Sequence, residues 1–154
     1  MMKWALIAMA IGGFLYYKAG QRSSVAQTKT PEFKELVKTN SCANKSGCVL
    51  LYVAPWCSAC LSMSPLFQQL KAKMENDPEY GMKIIVGQER NPGDNARMAK
   101  TYGEGVLIDS DNKIHKILEI DRYPTLLLVD SSGLITKKHQ DVFLWAVPRY
   151  QLRP

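Results

Sequence analysis

Val49-Leu-Leu-Tyr-Val-Ala-Pro-Trp-Cys-Ser-Ala-Cys60 is the stretch on which the fold of this 154-residue chain turns. Residues 49–53 form a continuous apolar run, the pattern of a strand buried on both faces of a sheet. Ala54-Pro55-Trp56 turns the chain, and a helix starts at Cys57. Leu61, Leu66, Phe67, Leu70 and Met74 recur at helical spacing as far as Glu75, and Pro65 is placed to kink that helix. Two cysteines thus stand three residues apart at a helix start, directly after a buried strand. The free N–H groups and dipole of a helix start stabilise negative charge, which favours a thiolate at Cys57. Cysteines in such settings have pKa values lowered to roughly 3.5–7.5. Cys60 falls one turn along on the same face, more buried and close enough to attack a mixed disulfide formed at Cys57.

Downstream, residues 82–86 predict a second buried strand, and Asn91-Pro-Gly-Asp94 a turn capping a helix to about Tyr102. A short strand at 106–108 leads into a brief helix carrying Ile114, Ile117 and Leu118. Tyr123-Pro124-Thr125 precedes a strand at 126–129, Ser131-Ser132-Gly133 is a hairpin turn, and 134–138 is the return strand. A last helix is expected over 141–147, closed by Pro148. Upstream, Thr30-Pro31-Glu32 opens a helix with Phe33, Leu36 and Val37 on one face, and residues 40–47 form a loop. Helices alternating with strands, then a hairpin, predict an α/β fold. Its mixed sheet is parallel in the middle, antiparallel at one edge and flanked by helices.

The run from Val49 to Cys60 resembles the thioredoxin superfamily signature, an apolar strand followed by Trp-Cys-x-x-Cys. Pro65 falls where those proteins kink the active-site helix, and Tyr123-Pro124-Thr125 takes the place of their cis-proline loop. The stretch from Val106 to Asp130 resembles the TlpA-like (ResA-like) branch, which inserts a strand and helix before that loop. The likeness spans about residues 31–147. It implies a thioredoxin fold in which Cys57 is the attacking thiol, Cys60 the resolving thiol, and Pro124 a cis-proline lying against Cys57. Trp56, Tyr123, Pro124 and Thr125 would shape the substrate groove. The implied activity is thiol–disulfide exchange with client protein cysteines, served by a membrane or extracytoplasmic redox partner. The dithiol itself is the redox group, with no separate cofactor. The branch slightly favours a reductant. Two departures stand out. Thioredoxin has a buried acid six positions before the first cysteine, where this chain has Leu51, so the proton acceptor is unassigned. Ser58-Ala59 is neither the Gly-Pro pair of reducing relatives nor a histidine-containing pair of oxidising ones.

All four cysteines lie between Cys42 and Cys60, which raises the question of a zinc site. Cys48 begins the first strand and Cys57 follows its far end, and five strand residues span about 17 Å. Tetrahedral zinc needs each sulfur at about 2.3 Å, so no metal site is assigned. Cys42 and Cys48 are instead expected to form a disulfide stapling the loop before the strand. A thioredoxin-like copper(I)-delivery module holding metal through Cys57 and Cys60 is the alternative, since soft thiolates suit that ion, but no histidine stands beside the motif. A non-catalytic interaction domain is the other alternative. His115, His139, Lys137 and Lys138 are expected on solvated surface, and Met63 and Met74 in helix packing.

The first residues form a different region. Residues 4–17 are uncharged and apolar between Lys3 and Lys18. As a helix they span about 21 Å, short of a roughly 30 Å hydrocarbon core unless the flanking lysines snorkel. The expected organisation is a signal anchor or signal peptide over 1–20, a tether over 21–29 and one domain over 30–154. An uncleaved anchor is favoured over cleavage near Ala26, within Ser24-Val25-Ala26. The domain would then lie in the periplasm or extracytoplasmic space, attached to a bacterial inner membrane, or be soluble and periplasmic if cleaved. Basic residues flank the segment on both sides, so charge alone does not set that orientation. Net charge is +6, half of it in the first 26 residues. No basic stripe interleaves with aromatics, which disfavours nucleic acid as a partner.

Overall fold

The structure, a computed structural model, describes residues 40–140. The apolar segment, the tether, the helix from Thr30 and the helix over 141–147 lie outside the described residues. No helix among the described residues is long and apolar enough to cross a membrane.

Five strands form one sheet in the order β3-β2-β1-β4-β5. They are β1 (Gly47–Val53), β2 (Tyr80–Gly87), β3 (Leu107–Asp109), β4 (Thr125–Asp130) and β5 (Ile135–His139). β1 and β3 run parallel to β2, whereas β4 pairs antiparallel with both β1 and β5. All seven residues of β1 are buried, as its unbroken apolar run requires of a central strand. Side-chain alternation sorts them into two layers. Val49, Leu51 and Val53 face Cys57, Cys60, Phe67, Met74 and Met98, and so carry the helices α1 (Ser58–Ser62), α2 (Ser64–Glu75) and α3 (Asp94–Tyr102). Cys48, Leu50 and Tyr52 face the other way, against Ile85, Leu118, Ile120 and Leu127. The short helix α4 (Lys113–Ile117) and the residues after it cover part of that second layer.

Pro65 acts more sharply than a kink. One helix ends at Met63, whose N–H bonds the Ala59 and Leu61 carbonyls, and a second begins with Pro65 in its first turn. The predicted hairpin turn forms at residues 131–133. The Asp130 carboxylate accepts from the Ser132 N–H and hydroxyl and from the Leu134 N–H, at 2.6–3.0 Å. These bonds to the charged form hold its carboxyl below the usual range.

At the start of β1, Cys42 and Cys48 are joined in a disulfide, with Cα atoms 5.4 Å apart. Gly81 of β2 pairs with Cys48 of β1, and its missing side chain lets the Cys42 turn pass close by. A Cβ there would stand 2.0 Å from the Ser41 carbonyl oxygen. Gly81→Ala therefore forces two backbones apart and is expected to cost about 1–3 kcal/mol. A lowered urea midpoint with unchanged slope checks this.

Candidate active site

The polarity of the strands brings β1's C-terminal end, the start of α1 and the loop before β4 to one end of the sheet. Cys57 caps α1. Its backbone is extended, its N–H donates to the Ala54 carbonyl at 3.1 Å, and its carbonyl accepts from Leu61 at 3.1 Å. The Cys60 N–H points at Cys57 Sγ, 3.1 Å away. The helix start thus aims an amide dipole at the sulfur, the electrostatics that stabilise a thiolate. Cys57 and Cys60 are joined in a disulfide, Cα atoms 5.2 Å apart. The two sulfurs are not equivalent. Cys57 retains 6% of its surface and Cys60 none, so the first thiol stands at the rim and the second beneath it.

The Tyr123–Pro124 peptide bond is cis, and Pro124 and Thr125 are buried. Thr125 pairs with Tyr52 across the sheet, and its hydroxyl donates to the Arg122 carbonyl at 2.6 Å, which closes the loop. Trp56 stands 38% exposed beside the sulfurs. Tyr123 meets its ring edge-on at 5.2 Å, and its Nε1–H donates to the Gln88 carbonyl at 2.7 Å. Gln88 has φ 64°, a left-handed conformation unusual for a residue with a side chain, and its N–H is held by the Asn112 side chain at 3.2 Å. Arg90 lays its guanidinium over the indole, 4.1 Å from the ring centre.

Behind this rim lies a buried cluster that the sequence did not reveal. The Tyr52 hydroxyl donates to Asp109 Oδ2 at 2.7 Å. Asp109 also accepts the N–H groups of Ile114 at 3.0 Å and His115 at 2.9 Å, so it ties the start of α4 to the central strand. Gly87 makes room for the phenol, since a Cβ there would lie 1.9 Å from its oxygen. The His115 ring is half-buried, stacked on Tyr123 at 6.1 Å and tilted against Tyr52 at 5.9 Å. This corrects the expectation of a solvated histidine. The inserted helix turns it inward, against the loop of the cis bond.

Burial, and secondarily the bond to Asp109 and its charge, push the Tyr52 phenol far above its ordinary value near 10. The unfolded chain therefore ionises Tyr52 first. The stabilisation is intact below about pH 10 and is lost as pH rises beyond it, at up to about 1.4 kcal/mol per pH unit. Tyr52→Phe is expected to flatten that alkaline decline, read from urea midpoints at pH 8–11.

Leu51 is fully buried in the same layer as Cys57 and Cys60. Asp109 is the one buried carboxylate among the described residues, and Tyr52 places it in the opposite layer. The sheet separates it from Cys60.

Of the residues singled out in the sequence, Trp56, Cys57, Cys60, Tyr123, Pro124 and Thr125 gather at this end. Cys42 and Cys48 sit at the opposite end of β1. The four cysteines are two separate pairs. Among the described residues, no three His, Cys, Asp or Glu side chains come together as a metal-holding group.

The thioredoxin family profile matches residues 24–142. No curated protein matches the sequence. Among solved structures, the pneumococcal exposed lipoprotein thioredoxin of Streptococcus pneumoniae is 25% identical with a TM-score of 0.53, over 65% of this chain and 82% of that one. StoA of Bacillus subtilis is 23% identical with a TM-score of 0.53, over 63% of this chain and 75% of that one. A thiol–disulfide oxidoreductase from Bacteroides fragilis is 16% identical with a TM-score of 0.57, over 75% of this chain and 88% of that one. The profile covers well over half of the sequence, so the chain belongs to the thioredoxin family and is an oxidoreductase.

Proposed function

We propose that this chain is an extracytoplasmic thiol–disulfide oxidoreductase of the TlpA-like branch, held at the membrane through residues 4–17 and acting mainly as a reductant of client protein disulfides. The observation that carries the reading is the stacking of a rim sulfur, Cys57, over a fully buried one, Cys60, at a helix start. The Streptococcus pneumoniae relative is an exposed lipoprotein, which supports the location.

In the reducing direction the Cys57 thiolate attacks one sulfur of a client disulfide. A mixed disulfide forms, and the other client sulfur leaves as thiolate. Cys60 gives up its proton and attacks Cys57 Sγ, which closes the Cys57–Cys60 bond and expels the second client thiolate. The client gains two electrons and takes up two protons, and the pair loses two electrons. An extracytoplasmic dithiol partner restores the pair by the same exchange. Trp56 and Tyr123 form the wall along which the client segment lies, and the buried Pro124 and Thr125 hold the loop behind it. Cys42–Cys48 staples the loop before β1 and contributes on the order of 2 kcal/mol.

The test is disulfide reduction driven by dithiothreitol, with Cys57→Ser beside the wild type. Turnover that falls to the uncatalysed background in the variant is expected. Equal turnover in both would remove the enzyme reading. The equilibrium potential of the pair then gives the direction, since about 30 mV shifts the equilibrium tenfold.

A further inference from the structure

A groove of about 540 Å³ opens at the Pro55-Trp56 turn that leads into Cys57, and neither cysteine lines it. Pro55 and Trp56, the two residues before Cys57, form its lip. Neither Tyr123 nor Pro124 lines it, so it is distinct from the wall made by the cis-proline loop. Of the four large apolar side chains left exposed among the described residues, two line this groove. They are Trp56 and Leu61, the latter 55% exposed, and Met98 lies buried at its base.

Its charges are unevenly matched. Asp94 is occupied: it takes the Arg97 guanidinium and both the N–H and side-chain amide of Asn91. Those bonds hold its carboxyl below the usual range. Arg97 is thereby paired within the groove. Arg90 is not. It lies over the face of Trp56 and makes no ion pair with any carboxylate among the described residues. A guanidinium stacked on an aromatic ring keeps its N–H donors in the plane of the group, directed outward, where a planar carboxylate can meet them.

We propose that this groove receives the client polypeptide next to the cysteine under attack, and that Arg90 selects an acidic residue there. An exposed aromatic lip, the apolar side chains of Leu61 and Met98, and one unmatched cation over Trp56, the residue before the nucleophile, fit an extended segment carrying aspartate or glutamate within a few residues of its cysteine. This rests on the exchange chemistry proposed above and narrows its substrate class.

The test uses the full chain and two synthetic peptide disulfides that differ only in glutamate or lysine two residues from the cysteine. The readout is the ratio of kcat/KM for the two peptides, which cancels any loss of folded enzyme. The wild type is expected to favour the glutamate peptide about three- to fivefold at low salt, the range of an exposed charge pair. The ratio should shrink toward one in 0.5 M salt, on the order of the concentration at which surface charges are screened. Arg90→Glu should invert it. A wild-type ratio of one, or a preference that survives Arg90→Glu, overturns the groove proposal while leaving the exchange reading intact. Equal turnover of both peptides by Cys57→Ser and wild type would instead overturn the exchange reading.

Discussion

Cys60→Ser is expected to stop the cycle half-way and leave the enzyme covalently joined to its client. The buried position of Cys60 makes it unavailable to the client but places it against Cys57, whose sulfur its own N–H already faces. With a hydroxyl in its place, Cys57 still attacks, the first client thiolate still leaves, and nothing resolves the mixed disulfide. Without added reductant the reaction should stop at the adduct, and intact-mass measurement should show protein plus client at a one-to-one mass. Dithiothreitol should release the enzyme at its original mass and the client in its reduced, dithiol form. Cys57→Ser, which loses turnover for a different reason, should form no adduct at all. Adducts accumulating on Cys60 in that second variant would reverse the assigned order of the two thiols.

Asp109→Ala is expected to be the most destabilising single change at this end of the sheet. The carboxylate collects the Tyr52 hydroxyl and two α4 N–H groups in a buried setting, so its loss strands three donors at once. Each such group costs about 1–3 kcal/mol when left without a partner away from water. Water entering the vacated space would recover part of that, which leaves a net loss of about 3–4 kcal/mol. At this chain length the thermal midpoint should fall by roughly 10 °C or more. Tyr52→Phe removes one donor and leaves the other two bonds, so about 1 kcal/mol is expected. The double variant should cost less than the sum, because the two residues share one bond. Additive losses would show that the bond contributes nothing.

The strands, the helices of the first layer and the placement of Cys57 and Cys60 at a helix start were legible because each is a local pattern. Residues 49–53 read as a buried strand and Cys57 as a helix start from neighbours alone. The cis bond at Pro124 came from resemblance, since no periodicity encodes it. The two deviations have one cause. Tyr52 and Asp109 are 57 residues apart, and only the register of β1 with β2, and of β2 with β3, brings them together. His115 follows them: its own neighbours, Asp111 and Glu119, describe a solvated helix face, and the bond from its N–H to Asp109 turns it inward. Arg90 was equally illegible, because its meaning comes from the indole beneath it rather than from the charges beside it in sequence.

The ends of the strand order have a bearing on how partners approach. β3 is three residues long, and β5 carries the adjacent lysines 137 and 138 along the opposite margin. Short strands and edge lysines are poor templates for a stranger's backbone. An extended client segment therefore finds little to zip onto along either side of the described sheet. Its contacts are confined to side-chain recognition at the helix-start end, where they can be broken once the disulfide has moved.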